Sequence, residues 1–252
     1  MKAMKMSAVV VAVLLAAALS GFAAEPKGWQ FEVTPYVWAA GLEGDATVQG
    51  HTVDFEKKFT DMIKYVDAAV SILGVAQYDR FLLWGQMDYI SMTTDRLDAD
   101  ERPHAGSLDA KMLLGEVAVG YQFDGFAEGQ TFDVLVGARG LTMKTDLNVY
   151  DKGTFSKESN LLDPIIVLRP SIPVFPSKIK GLRFNPTVAI GGGGDSDLVY
   201  ELEPQFQYQI TPNVVARLGY RTVGYKFKGD HNSDNELNIR LSGLIAGVGV
   251  TF

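Results

Sequence analysis

Apolar and polar residues alternate with period two through most of this chain. From Leu198 to Ile210 one face reads Leu198, Tyr200, Leu202, Pro204, Phe206, Tyr208 and Ile210. The other reads Val199, Glu201, Glu203, Gln205, Gln207 and Gln209. Successive side chains of a strand point to opposite faces, so this is a strand with one greasy and one polar side. Val214, Ala216, Leu218 and Tyr220 repeat the pattern against Asn213, Arg217 and Arg221, with Thr211-Pro212 as the turn between. The same alternation predicts strands over 28–40, 66–78, 80–94, 107–123, 131–148, 163–175, 180–191, 197–210, 213–228 and 237–252. No long amphipathic helix follows residue 23.

Ten strands is an even count, and several exceed the ~9–11 residues that cross a bilayer. Asp79-Arg80, 177–180 and Thr211-Pro212 are tight connections, whereas 41–65, 95–106 and 149–162 are long and polar. Membrane barrels have this asymmetry between their two ends. Aromatic residues on the greasy face gather beside the short turns: Trp29, Phe31, Tyr78, Phe81, Tyr121, Phe123, Phe132, Phe206, Tyr208 and Phe252. Such a set reads as an interfacial girdle. The competing fold is a soluble sandwich or lipocalin-like barrel, which would have to bury the charged face at great cost. The expectation is therefore a transmembrane antiparallel up-and-down β-barrel of about ten strands, with eight or twelve as alternatives.

Parity assigns the interior: Glu32, Gln86, Asp88, Glu116, Arg139, Arg169, Arg183, Glu201, Glu203, Arg217 and Arg221. Hairpin geometry puts residues whose numbers sum to about 422 across the Thr211-Pro212 turn, so Glu201 falls near Arg221 and Gln205 near Arg217. Across the 124–130 turn Glu116 falls near Arg139. Mixed-sign charges of this kind read as a self-satisfying salt-bridge network in a narrow bore. A charge-lined selective pore is the alternative.

Residues 1–6 carry Lys2 and Lys5, residues 7–19 are apolar, and Gly21 and Ala23 form a small-x-small end. This is the pattern of a cleaved signal peptide over 1–23, leaving a barrel domain over 24–252. The apolar run is shorter than the ~20 residues that span a membrane. Composition then adds exclusions. The 252 residues hold no cysteine, which removes disulfides, thiolate metal sites and thiol nucleophiles. The net charge of −7 argues against a nucleic-acid partner. Mean hydropathy is +0.06, the value expected when lipid-facing and lumen-facing residues alternate.

Little else carries chemistry. His51, His104 and His231 all fall in expected loops. An omptin-like rim hydrolase would draw on Asp98, Asp100, Asp230 and His231, but Asp230 and His231 are adjacent and would point apart. Asp230-x-Asn232-x-Asp234-x-Glu236 resembles the start of a calcium loop, yet it lacks the glycine and the distal glutamate such a loop needs. Gly191–Gly194 reads as a flexible tip, and no Lys-Ser/Thr follows it to bind phosphate. Pro170, Pro173 and Pro176 predict a bent strand over 163–175. The expectation is thus a protein without cofactor, metal or enzymatic activity.

The chain ends Gly247-x-x-Val250-x-Phe252, which resembles the C-terminal assembly signal of bacterial outer-membrane proteins. Val33-Thr34-Pro35-Tyr36-Val37-Trp38, Gly41-Leu42-Glu43-Gly44, Val136-Gly137-Ala138-Arg139, Asp163-Pro164-Ile165 and Leu218-Gly219-Tyr220-Arg221 resemble the OmpW-like "outer membrane protein beta-barrel" group. The resemblance implies location in the bacterial outer membrane. The expected role is a structural barrel or a narrow conduit or binding protein for small molecules, with outer-membrane lipid and lipopolysaccharide, the barrel assembly machinery acting on the C-terminal strand, and a small-molecule solute as partners. The resemblance implies no reaction.

Overall fold

The computed structural model describes residues 28–48, 51–99, 102–149, 153–228 and 236–252. The expected signal segment 1–23 lies outside the described residues. Among the described residues thirteen strands form one sheet. In chain order they are β1 (Trp29–Val48), β2 (His51–Lys57), β3 (Val66–Tyr78), β4 (Phe81–Ala99), β5 (Arg102–Asp124), β6 (Thr131–Val149), β7 (Gly153–Pro173), β8 (Leu182–Phe184), β9 (Thr187–Gly191), β10 (Leu198–Glu203), β11 (Gln205–Thr211), β12 (Val214–Lys228) and β13 (Glu236–Thr251). A single helical turn, α1 (Phe59–Met62), and a 3-10 turn join β2 to β3. Every neighbouring pair is antiparallel. β13 pairs β1 along most of its length, for example Leu42 with Leu241 and Val33 with Val250, and so closes the sheet into a tube.

The tube has ten staves, because β2 lies off the ring and two staves are broken. One break falls at Asn185-Pro186, between β8 and β9, and the other at Pro204, between β10 and β11. Proline has no N–H for the ladder, which is why the breaks fall there. The expected bend in the strand carrying Pro170 does not occur. β7 runs unbroken against β6 through Pro170, opposite Phe132, and Ser171, opposite Thr131. The side of β7 that Pro170 cannot serve faces the break in the next stave, where β9 stops at Leu168 and β8 resumes at Ile172. Side chains close this gap. Arg183 Nε donates to Ser171 Oγ at 2.6 Å, and Ser171 Oγ donates to Asn185 Oδ1 at 3.0 Å.

Alternation builds the two surfaces. On β5 the outward residues Leu113, Val117, Val119 and Phe123 are exposed, while Leu114, Glu116 and Ala118 between them are buried. The outward apolar run from Leu113 to Phe123 rises about 26 Å at a ~40° tilt, which matches the apolar band of a membrane barrel. β5 itself, at 23 residues, rises about 60 Å on the same reckoning. The strands therefore stand well clear of the belt at one end. The expected polar loops at 95–106 and 149–162 are largely strand: Leu97 pairs Gly106, and Val149 pairs Gly153. The expected loop at 41–65 is a hairpin, with β1 turning back as β2. The two ends of the barrel thus differ by strand protrusion more than by loop length.

At the short-turn end the aromatic residues touch in sequence. Phe252 stacks on Phe31 (5.7 Å between centroids), Phe31 on Trp29 (5.9 Å), and Trp29 meets Tyr78 (5.4 Å). Phe81, Tyr121, Phe123 and Phe132 continue the band at 4.9–5.3 Å spacings. Phe206 meets Phe184, and Tyr208 is exposed on the same face of β11. Within the C-terminal strand Val250 is buried between Val33 of β1 and Val214 of β12. Gly247 is required by close approach: a Cβ there would stand 2.7 Å from the Tyr36 Cβ and 2.9 Å from the Pro35 carbonyl.

Candidate functional site

The bore is occupied by side chains at mid-height, and Arg221 is the hub. Its guanidinium is fully buried. Nε donates to Glu201 Oε1 at 2.9 Å, Nη1 to Asp88 Oδ2 at 2.5 Å, and Nη2 to Glu116 Oε1 at 2.5 Å. Glu203 Oε2 lies 3.4 Å from Nε. The Trp38 ring covers the guanidinium at 4.7 Å, a cation–π contact. These partners come from β1, β4, β5 and β10, so one residue of β12 ties together staves from around the wall. Arg139 of β6 donates through Nε and Nη2 to Glu116 Oε2 (3.1 and 2.7 Å), and its Nη2 also bonds Glu201.

Around this hub most neutral polar groups are matched, although Gln86 Oε1 and Trp38 Nε1 find no hydrogen-bond partner among the described residues. Tyr36 Oη donates to Asp88 Oδ1 at 2.6 Å and accepts from Gln86 Nε2 at 2.8 Å. Gln205 Nε2 donates to Glu203 Oε1 at 2.6 Å and its Oε1 accepts from Arg217 Nη1 at 3.1 Å. Arg217 also grips Glu32, with Nη2 at 2.7 and 2.9 Å from the two carboxylate oxygens. Nearer the short turns, Arg169 pairs with Asp133 at 3.6 Å, an ion pair beyond hydrogen-bond length, and Gln122 Nε2 donates to Asp133 at 3.0 Å.

Glu32, Asp88, Glu116, Arg139, Glu201, Glu203, Arg217 and Arg221 thus meet in one network, with Arg169 and Asp133 just outside it. Arg183 stands apart. Its hydrogen bonds go to Ser171 and to the Gly129 carbonyl (2.8 Å), at the short-turn end. The β11–β12 register sums to 424, pairing Gln207 with Arg217. Glu201 and Arg221 are therefore diagonal neighbours across the hairpin, whereas Glu116 and Arg139 are directly opposed.

Gln205, expected near Arg217, does bond it; sequence reasoning left Tyr36, Trp38 and Asp163 out of the interior set. Tyr36 and Trp38 share the inward parity of Glu32, which was their available signal, but an aromatic residue on a polar face does not announce a hydrogen bond. Inward apolar residues are also more numerous than the polar face suggested. Leu114, Leu141, Val199, Val223 and Tyr225 pack above the ion cluster, and Leu82, Trp84, Leu135 and Val167 pack toward the other end. The central ions Arg221, Arg139, Glu116 and Glu201 are therefore fully buried among apolar side chains, in surroundings where an ion must be paired, while Glu32 and Arg217 carry the network on toward the short-turn end.

Asp163 holds the β9–β10 tip. Its Oδ1 accepts from Gly194 N at 3.2 Å and Ser196 N at 2.9 Å, and Asp195 Oδ2 accepts from Leu162 N at 2.8 Å. The glycine run 191–194, expected to be flexible, is anchored. Gly192 and Gly193 adopt φ of 134° and 78°, a region that suits glycine.

For catalysis the cluster offers little. Its central acids are buried and bonded to guanidinium groups, which ties up the oxygens a general base would use. Among the described residues no group of three His, Cys, Asp or Glu is arranged to hold a metal ion. Asp100, Asp230, His231 and the calcium-like segment 230–235 lie outside the described residues, as do the side chains of Asp98 and His104. His51 is exposed at the start of β2.

Fold and site together define a class: an up-and-down β-barrel of outer-membrane type with a filled bore. No family model matches the chain, and no curated protein matches it. Among solved structures the chain is similar to Ail, the attachment invasion locus protein of Yersinia pestis, at 12% identity and a TM-score of 0.39, covering 90% of this chain and 99% of that one. It is also similar to Neisserial surface protein A (14%, TM-score 0.33, 88% and 97% covered). A third is the outer membrane protein OprG of Pseudomonas aeruginosa (12%, 0.30, 90% and 97%). Likeness at this level says nothing about ligand, partner or activity.

Proposed function

We propose that the chain is a non-enzymatic integral protein of the bacterial outer membrane, a structural or binding barrel whose bore is sealed. One observation carries this reading. Arg221 and Arg139 are buried with Glu116, Glu201 and Glu203 across the middle of the tube, and their hydrogen bonds join staves from around the wall. A pore needs an open polar path, and here the buried charges at mid-height are engaged with one another across the bore. The exposed Leu, Val and aromatic belt supports residence in lipid. In this reading lipid and lipopolysaccharide surround the belt, and the assembly machinery engages the strand bearing Gly247, Val250 and Phe252. OmpW-like kinship belongs to the same proposal.

Planar-bilayer recording of the purified protein tests it. The expected result is no current above the lipid background. Steady unitary conductance would overturn the sealed bore.

A specific observation favours a second reading, a lateral conduit for small apolar solutes. β1 and β3 pair from Trp29–Tyr78 up to Tyr36–Ser71 and no further. Above that point no β1–β3 pairing closes the wall among the described residues. A disulfide joining Val37→Cys to Val70→Cys would close this seam. On this reading, uptake of an apolar solute into proteoliposomes falls when the bond forms; uptake unchanged by the bond rules the seam out as a route.

A further inference from the structure

Beyond the apolar belt the wall of the tube is incomplete. β1 exchanges β3 for β2 as its neighbour from Leu42 to Val48. β4 loses β3 at Met92, opposite Val66, while its pairing with β5 runs on to Ala99. Among the described residues β2 has β1 as its only partner strand, and β4 above Met92 has only β5. Both strand edges lie on the protruding side of the barrel. Such an edge presents N–H and C=O groups in a row and is a template for one more strand.

The side chains of β2 say what that strand should carry. Asp54 lies directly opposite Asp45, and Glu56 directly opposite Glu43. Like charges in directly opposed positions destabilise a strand pair. On the far side of β1, Glu43 is held by Arg240 at 2.7 Å, and Asp45 accepts from Asn238 at 2.9 Å. Asp54 and Glu56 are exposed on β2. With Glu43 and Asp45 they line one side of an open groove of about 540 Å³ that extends over β13, β12 and β10, where Arg240 and Lys226 line it too; those two cations are paired with Glu43 and Glu236. Two acids at alternate positions repeat at about 6.8 Å, the pitch at which an extended chain presents every second side chain.

We propose that the free edge of β2 is a docking site for an extended basic peptide segment of another protein. The segment adds to β2 as a strand, and its lysine or arginine residues, at alternate positions, meet Asp54 and Glu56. Backbone pairing supplies the binding and the acids supply the selectivity. The proposal does not rest on the sealed bore, because β2 lies outside it.

The test uses the full chain in detergent micelles and a fluorescent nonapeptide of alternating lysine and valine. Two control peptides accompany it. One replaces lysine by glutamate. The other keeps the charge but carries proline at two central positions, so it cannot pair as a strand. Anisotropy reads affinity, and amide hydrogen exchange reads protection of residues 51–57. The alternating basic peptide should bind and slow exchange in β2. The proline peptide should bind about tenfold more weakly or worse, the loss expected from a few missing ladder bonds. The glutamate peptide should not bind. The D54K/E56K variant, changed only at exposed positions, should lose the basic peptide while keeping the heat-modifiable gel shift of a folded barrel. Equal affinity for the proline peptide would reduce the effect to bulk charge and overturn the proposal. So would binding without protection of β2. Absence of any binding would leave the acids as guards of the edge and overturn it as well.

Discussion

Replacing Arg221 by methionine removes the group that joins four carboxylates in the bore, Asp88, Glu116, Glu201 and Glu203. The guanidinium is fully buried, with Asp88 and Glu116 at 2.5 Å and Glu201 at 2.9 Å. Methionine matches much of the volume, so the change tests charge more than packing. Removing one partner of a buried ion pair costs about 3–5 kcal/mol, because the other charge is left uncompensated. Here Glu201 and Glu116 keep Arg139, whereas Asp88 keeps only the Tyr36 hydroxyl among its hydrogen-bond donors. A loss of about 3–5 kcal/mol is expected for Arg221→Met on the same principle. The assay is reversible urea unfolding in lipid vesicles, followed by tryptophan fluorescence. Of the three tryptophans, Trp38 packs against Arg221 at 4.7 Å, so a variant with Trp29 and Trp84 replaced by phenylalanine makes the probe local. A double-mutant cycle with Glu116→Gln adds a second reading. In the Arg221→Met background neutralising Glu116 relieves a stranded charge, so the two changes should couple by about 1–3 kcal/mol. The account of the plug fails if Arg221→Met stays within about 1 kcal/mol of wild type and the two changes add independently.

Other expectations follow from single contacts. Glu32→Gln weakens the grip of Arg217 and should cost about 1–3 kcal/mol in the same unfolding assay. Gly247→Val puts a branched side chain against Tyr36 and Pro35, and should cost about 1–3 kcal/mol or slow insertion, read as a delayed heat-modifiable gel shift. Asp163→Asn should loosen the 191–197 tip, which limited proteolysis would detect as new cleavage there while the barrel stays intact. At the protruding rim the Arg240 guanidinium holds the Glu43 carboxyl below its usual range. A depressed carboxyl stabilises the fold above its unfolded pKa and loses that contribution as pH falls through the folded value. The pair is exposed, so the contribution should stay under about 1 kcal/mol. Arg240→Ala should raise the Glu43 titration midpoint seen by NMR, and an unmoved midpoint would contradict the pairing.

The wall of this barrel was legible because a period of two survives wherever one face meets lipid and the other the interior. Leu83 and Met87 against Leu82 and Trp84 is such a case, and so is Val136 against Leu135. The period fails as a guide beyond the belt. Above Leu113 the outward residues of β5 become Lys111, Asp109 and Ser107, both faces turn polar, and strand reads as loop. The hairpin of β1 and β2 was hidden in the same way, by Asp45, Asp54, Glu43 and Glu56. The breaks at Pro186 and Pro204 were visible as prolines, but which strand they interrupt depends on the neighbour's hydrogen-bonding side. Among the interior groups, Glu116 opposite Arg139 follows from one hairpin's arithmetic. The meeting of Arg221 with Asp88 and Tyr36 joins strands that are far apart in the chain, and that depends on barrel closure and tilt, which no local pattern encodes.

The central claim is that alternate residues of each strand face lipid and a filled interior. The chain has no cysteine, so single cysteines can be placed one at a time and labelled with a small fluorophore in vesicles containing spin-labelled lipid. Leu83→Cys, Val117→Cys, Val136→Cys and Leu218→Cys should label readily and be quenched strongly. Leu82→Cys, Ala118→Cys, Leu135→Cys and Val215→Cys, their inward neighbours, should label poorly and be quenched weakly. Equal labelling and quenching in the two sets, or an inverted order, would contradict the account.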